Sequence, residues 1–130
     1  MGIFSLFGKK ERPSEEASKE ITWIPLVSSE QLGEIIAQSA QKPQLIFKNS
    51  ITCGISSMVL RSFEANYALD KEQADLYFLN IQHNRDLSGE IAAQFGVRHE
   101  SPQVLIIKNG SVVKDASHGA IAYLAMDKYL

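Results

Sequence analysis

Two compact apolar runs, QLIFK (Gln44 to Lys48) and ADLYFLNI (Ala74 to Ile81), flank a segment in which Ile55, Val59, Phe63 and Tyr67 recur every four residues. Short unbroken apolar runs are the pattern of strands buried on both faces, and a four-residue recurrence is the apolar stripe of a helix. Two strands joined through a helical crossover pair in parallel, because the crossover carries the chain back to the end where the first strand began. A chain with this pattern is committed to an α/β sheet covered on both sides.

The alternation extends in both directions. WIPLV from Trp23 reads as a first strand, followed by Ser28 or Ser29 as an N-cap and by Leu32, Ile35 and Ile36 at helical spacing, until Lys42-Pro43 breaks the helix. Asn84 reads as the cap of a third helix with Leu87, Ile91 and Phe95 inward and Gly96 as its terminator. In SPQVLIIKNGSVVKD two strand-like runs are separated by Asn109-Gly110, the signature of a two-residue hairpin turn, so this part is antiparallel. A last helix with Ile121, Leu124 and Met126 inward closes the chain. The resulting order, β-α-β-α-β-α-β-β-α, is that of a thioredoxin-like fold, a central mixed sheet flanked by helices. Ferredoxin-like folds lack the terminal hairpin and helix, and flavodoxin-like folds need every strand separated by a helix.

The chain has 130 residues, 45% of them hydrophobic, which suits one core of ordinary size and not two domains. Residues 21–130 are expected to form that domain, and residues 1–20 a flexible lead. GKKERPSEEASKE (Gly8 to Glu20) is almost wholly polar and cannot bury enough apolar surface to offset its ordering entropy. Ile3, Phe4, Leu6 and Phe7 ahead of it are assigned no function. A net charge of −2 with interspersed signs provides no basic field for nucleic acid. No apolar run approaches the roughly 20 residues that span a bilayer. MGIFSLFGKK fits neither a signal peptide, since its charge follows the apolar start, nor a myristoylation site, since Ser5 is followed by Leu6. A single cysteine cannot close an internal disulfide, and a lone exposed thiol suits a reducing compartment. The expected location is the cytoplasm.

That cysteine, Cys53, falls in LIFKNSITCGIS, after the expected central strand and at the start of a helix. Unsatisfied amides and the dipole at a helix N-terminus favour thiolate over thiol. A drop in pKa from ~8.5 to ~6 would raise the thiolate fraction at neutral pH to about nine-tenths. The alternative, a small buried hydrophobe, is the commoner fate of a lone cysteine, but the strand-to-helix corner argues against it. Where a dithiol enzyme carries its second cysteine stands Ser56, in Cys53-Gly54-Ile55-Ser56. With no resolving thiol, an adduct on Cys53 persists until an outside thiol removes it, so the reaction is monothiol and small thiols are its co-substrates. Ser56 is itself read as an early-helix polar residue. Pro102 heads the strand before the hairpin, a place where a missing N–H is tolerated in any case. His118, in Ser117-His118-Gly119, falls in a loop at the same end of the sheet as Cys53. It is a candidate to stabilise the thiolate or protonate the leaving sulfur, with a solvated loop histidine as the alternative. His83 and His99 have weaker claims, and the histidines and cysteine do not fall at zinc spacings. No metal and no bound cofactor are expected.

Across roughly Trp23 to Leu130, through TCGIS, ESPQVLIIKNG and SHGAI, the chain resembles the monothiol bacilliredoxins, thioredoxin-like proteins with a TCPIS-type motif. The resemblance implies Cys53 as nucleophile, with Thr52, Gly54 and Ser56 around it. It also implies a cis Pro102 beside the cysteine, so that Ser101 offers its backbone N–H and C=O to an extended thiol-bearing substrate. The implied activity is removal of bacillithiol from S-thiolated cytosolic proteins through an adduct on Cys53. Gly54 departs from the family's proline, exchanging a fixed φ for freedom at the helix start. The residues themselves do not distinguish bacillithiol from glutathione. The thioredoxin motif FxWAxWCGPC fits worse: Phe47 and Thr52 stand where it has an acidic residue and a tryptophan. The CGFS motif of monothiol glutaredoxins resembles Cys53-Gly54-Ile55-Ser56 and raises an iron–sulfur carrier as an alternative, although that family's TVP and GG-D signals are absent. A non-catalytic thioredoxin-like interaction module is the third reading.

Overall fold

The structure, a computed structural model, describes residues 21–52 and 54–130. The expected lead over residues 1–20, and Cys53 itself, lie outside the described residues. The elements run β1 (Ile24–Pro25), α1 (Glu30–Gln38), β2 (Gln44–Asn49), α2 (Gly54–Asn66), β3 (Asp75–Asn80), a 3₁₀ turn (Ile81–His83), α3 (Arg85–Phe95), β4 (Gln103–Lys108) and β5 (Ser111–Ser117). Two 3₁₀ segments, His118–Tyr123 and Met126–Tyr129, end the chain. The five strands form one sheet in the order β1-β3-β2-β4-β5. β3 runs parallel to both β1 and β2, whereas β4 is antiparallel to β2 and to β5.

β2 is the middle strand, and its alternating side chains build two cores. Leu45 and Phe47 join Val59, Phe63, Val104, Ile106, Ile121 and Met126 on the α2 face. Ile46 joins Leu32, Ile35, Leu87, Ile91, Leu105 and Ile107 on the α1/α3 face. Leu45, Ile46 and Phe47 are wholly buried, which is why the sequence there is a continuous apolar run and not an alternating one. On the α2 face Phe47 stacks on Phe78 at 5.8 Å between ring centres, and Trp23 meets Phe78 edge-on at 5.4 Å. Trp23 Nε1 donates to Glu64 on α2 at 2.8 Å, tying the start of the domain to that helix.

The hairpin forms at Asn109 and Gly110, with φ of 52° and 82°, the two positive values that a type I′ turn requires. Gly96 ends α3 in the left-handed conformation at φ 67°.

Four expectations are corrected. The cap of α1 is not a serine side chain. Gln31 reaches back instead, its Oε1 accepting from Val27 N–H at 2.7 Å and Ser28 N–H at 3.1 Å, while Ser29 Oγ donates to Glu90. Asn84 likewise makes no side-chain cap bond at the start of α3; its Nδ2 donates to Asn80 O at 3.0 Å. On α2 the inward stripe is Ser56, Val59 and Phe63, and Ile55 is exposed at its margin, about 100° round the helix from Ser56 and about 40° from Val59. The expected terminal α-helix is instead the two 3₁₀ segments. Ile121 and Met126 are both buried, yet five α-helical residues would turn them about 140° apart. Extended backbone at Leu124 and Ala125 breaks the helix and lets both reach the core.

A Cβ at Gly110 would meet Ile36 Cγ2 at an ordinary 3.8 Å, so only the positive φ resists substitution. Gly110→Ala is expected to cost about 1 kcal/mol, read as a fall of about 4 °C in the thermal midpoint.

Candidate functional site

The register places the three expected site segments at one end of the sheet. Asn49, the last residue of β2, pairs with Asn80 on β3; Lys48 pairs with Gln103, just after Pro102; and Gln103 pairs with Ser117, just before His118. The chain leaves β2 through Ser50, Ile51 and Thr52, passes position 53, and enters α2 at Gly54. A strand-to-helix corner therefore brackets Cys53 on both sides in the chain.

That corner is pinned by polar groups. Asn49 Nδ2 donates to Asn80 Oδ1 at 2.9 Å. Ser50 N–H donates to Ser56 Oγ at 3.3 Å, so the wholly buried hydroxyl of Ser56 ties the first turn of α2 to the end of β2. Ser56 does more than an early-helix polar residue was expected to do. Gln82, from the 3₁₀ turn after β3, makes three contacts: its Oε1 accepts from Ile51 N–H at 3.0 Å, and its Nε2 donates to Ser50 Oγ at 2.8 Å and Thr52 Oγ1 at 3.1 Å. Ser50 Oγ and Thr52 Oγ1 lie 3.3 Å apart. Thr52 and Gly54 are exposed, and a Cβ at Gly54 would meet nothing within 4 Å, so crowding does not demand glycine there.

The Ser101–Pro102 peptide is cis, and Pro102 is buried. Pro102 O accepts from His118 N–H at 3.0 Å, which clamps this loop to the end of β5. The Ser101 hydroxyl is buried without a partner among the described residues. His118 has a positive φ of 56°, and its Nε2 lies 3.8 Å from Glu100 Oε1. About 10 Å, two strand spacings, separates Ser117 from Lys48 on β2. The fold thus gathers Thr52, Gly54, Ser56, Ser101, Pro102 and His118 at one sheet end; the His118 imidazole faces Glu100, and no hydrogen bond joins it to Thr52 among the described residues. No group of three or more His, Cys, Asp or Glu side chains among the described residues is arranged to hold a metal ion. Nor is any of their helices long and apolar enough to cross a membrane.

Two features escape a sequence reading. Gln82 lies 30 residues from Thr52 and carries no motif. Lys48 sits at the edge of an apolar run, yet it is wholly buried, with its Nζ 3.2 Å from His99 Nδ1. His99 Nδ1 is also 3.4 Å from Ser88 Oγ. Burial holds the Lys48 ammonium down at about 8, and burial together with the Lys48 charge lowers His99, while Glu100 opposes that shift. For the two to bond with Lys48 charged, His99 must be neutral and accept through Nδ1.

The model of a family described as Monothiol bacilliredoxin BrxC matches residues 24–126. A solved protein of provisional oxidoreductase assignment with a thioredoxin fold is 36% identical, with 75% of this chain and 84% of that one covered at a TM-score of 0.64. The thioredoxin of Malassezia sympodialis is 15% identical over 83% of this chain and 90% of its own, with a TM-score of 0.66. That of Trypanosoma brucei brucei is 12% identical over 88% and 90%, with a TM-score of 0.62. At those identities the two thioredoxins establish the fold, which is thioredoxin-like as the element order implied.

Because Lys48 is lowered on folding from 10.5 to about 8, the unfolded chain binds the extra proton between those values. The cost of burying the charge is felt in full below pH 8 and is relieved as pH rises. Denaturant midpoints are expected to increase from pH 8 to pH 10. Above that, Tyr67, which burial and Asp75 push up to about 12, and Tyr77, raised by the same causes and by Glu34, oppose the rise. Lys48→Met should flatten the increase; an unchanged slope in that variant would assign it elsewhere.

Proposed function

The chain belongs to the monothiol bacilliredoxin family, thiol oxidoreductases of thioredoxin fold, and we propose that it removes a low-molecular-weight thiol from mixed disulfides through an adduct on Cys53. The observation that carries this reading is the sequence Cys53-Gly54-Ile55-Ser56 at a strand-to-helix corner, with serine in the place of a resolving cysteine.

In the proposed reaction the Cys53 thiolate attacks the small-thiol sulfur of a protein mixed disulfide. One S–S bond forms as the old one breaks, and the target cysteine leaves as thiolate and takes a proton from solvent. No net electrons are transferred in this step. The α2 N-terminus favours the attacking thiolate, as helix N-termini do. Ser56 cannot displace the adduct, so a second small thiol attacks it, regenerates the Cys53 thiolate and departs with the first as a disulfide. The backbone of Ser101, ahead of the cis Pro102, is suited to pair with an extended segment of the thiolated protein beside β4. Family membership supports bacillithiol as the small thiol, and the partners in this reading are S-thiolated cytosolic proteins. An iron–sulfur carrier, the reading raised by the CGFS-like motif, would purify with visible absorbance.

The test is intact mass spectrometry after incubation with a bacillithiolated protein. Wild type should gain one bacillithiol, Cys53→Ser should gain none, and a wild-type chain that gains nothing beside an active bacilliredoxin control would falsify the reading. Ser56→Ala should retain transfer. Because it leaves the buried Ser50 N–H without its acceptor, it should also lose about 1–3 kcal/mol of stability.

A further inference from the structure

We infer that Gln82 is a positioning residue for the Cys53 chemistry, its single side-chain amide leaving the hydroxyl of Thr52, the residue before Cys53 in the chain, free only to donate. The inference rests on the reading of Cys53 as the nucleophile.

The direction of the amide is determined by its contacts. Ile51 N–H is a donor, so the atom facing it at 3.0 Å must be Oε1, which leaves both Nε2 protons for Ser50 Oγ at 2.8 Å and Thr52 Oγ1 at 3.1 Å. The two hydroxyls, 3.3 Å apart, own one proton each. One proton lies in the bond between them, and the other must point out of the network. Were it the Ser50 proton, it would need an acceptor in a buried position, and none is present among the described contacts of that hydroxyl. Ser50 therefore donates to Thr52, whose oxygen then accepts from both Gln82 and Ser50. With both lone pairs engaged, the Thr52 hydroxyl on its exposed corner has only its proton to offer.

A hydroxyl restricted to donating, on the residue preceding Cys53, is matched to an anionic sulfur. It favours the thiolate over the thiol, as preorganised donors favour developing charge. By holding Ile51 N–H as well, Gln82 fixes the Ser50–Thr52 segment as one unit, so that donor keeps one orientation. Gly54, with no fixed φ of its own on the other side of Cys53, leaves this duty to the preceding segment.

The experiment is the pH profile of iodoacetamide alkylation of Cys53, which needs no bacillithiol, in wild type, Gln82→Met, Thr52→Val and the double variant, with thermal midpoints recorded alongside. Gln82→Met should move the alkylation midpoint upward by about half a unit or more. Thr52→Val should do the same, and the double variant should move no further than either, because the two act through one hydroxyl. In the mass-spectrometric assay the Gln82→Met rate constant at saturating substrate should fall at least threefold with its KM unchanged. An unmoved alkylation midpoint in Gln82→Met, or shifts that add in the double variant, overturns the inference even if stability falls. Should Gln82→Met not fold, Thr52→Val with an unmoved midpoint does the same. A normal alkylation pattern without any bacillithiol adduct sinks the proposed function and leaves the role of Gln82 intact.

Discussion

The burial of β2 on both faces is the constraint from which the rest follows. A strand whose Leu45 and Phe47 serve one core and whose Ile46 serves the other can exist only inside a three-layer structure. α2 then has to cover one face, and α1 with α3 the other. The chain leaving β2 must rise over the sheet edge into α2, which creates a corner at the end of a strand buried on both faces. Position 53 lies on that corner because the apolar run ends at Phe47 and the apolar stripe resumes at Val59.

A corner is only as well defined as the groups that hold it, and here they are polar. Asn49 is tied to Asn80, Ser50 to Ser56, and the whole segment Ser50–Thr52 to Gln82. Each bond is modest in net terms, yet they converge on four consecutive residues, so the segment cannot shift without breaking several at once. On the neighbouring strand, His118 N–H clamps Pro102 O and fixes the second loop of this sheet end. Lys48 carries a charge into the same end of the sheet at a cost of burial reflected in its lowered proton affinity, with His99 Nδ1 beside its Nζ.

Much of the fold was legible because its signals are local. QLIFK reads as a buried central strand, VLII as a strand, Asn109-Gly110 as a two-residue hairpin turn and Gly96 as a helix stop, since each depends on side-chain period or backbone freedom within a few residues. The misreadings share a physical cause as well. Ser29 and Asn84 are capping residues by type, but Glu90 and Asn80 offered them other partners. The four-residue period holds at Val59, Phe63 and Tyr67 but not at Ile55, where the inward face begins with Ser56 instead. The end of the chain was read as one α-helix because a helix is the default for such a pattern; the two depths at which Ile121 and Met126 must bury decided otherwise.

By itself the sequence determined the α/β class, the order of elements with its crossovers and hairpin, the corner that carries the lone cysteine, and the absence of a resolving thiol at Ser56. These are consequences of periodicity and residue type along a continuous stretch of chain. Only the tertiary structure decided what surrounds that corner. Gln82 reaches Thr52 across 30 residues, Lys48 meets His99 across 51, and Ser56 turns inward to Ser50. Hydrogen bonds that span 30 and 51 residues depend on how parallel and antiparallel strands fall into register, and register is set by the packing of the whole sheet, which no local pattern encodes.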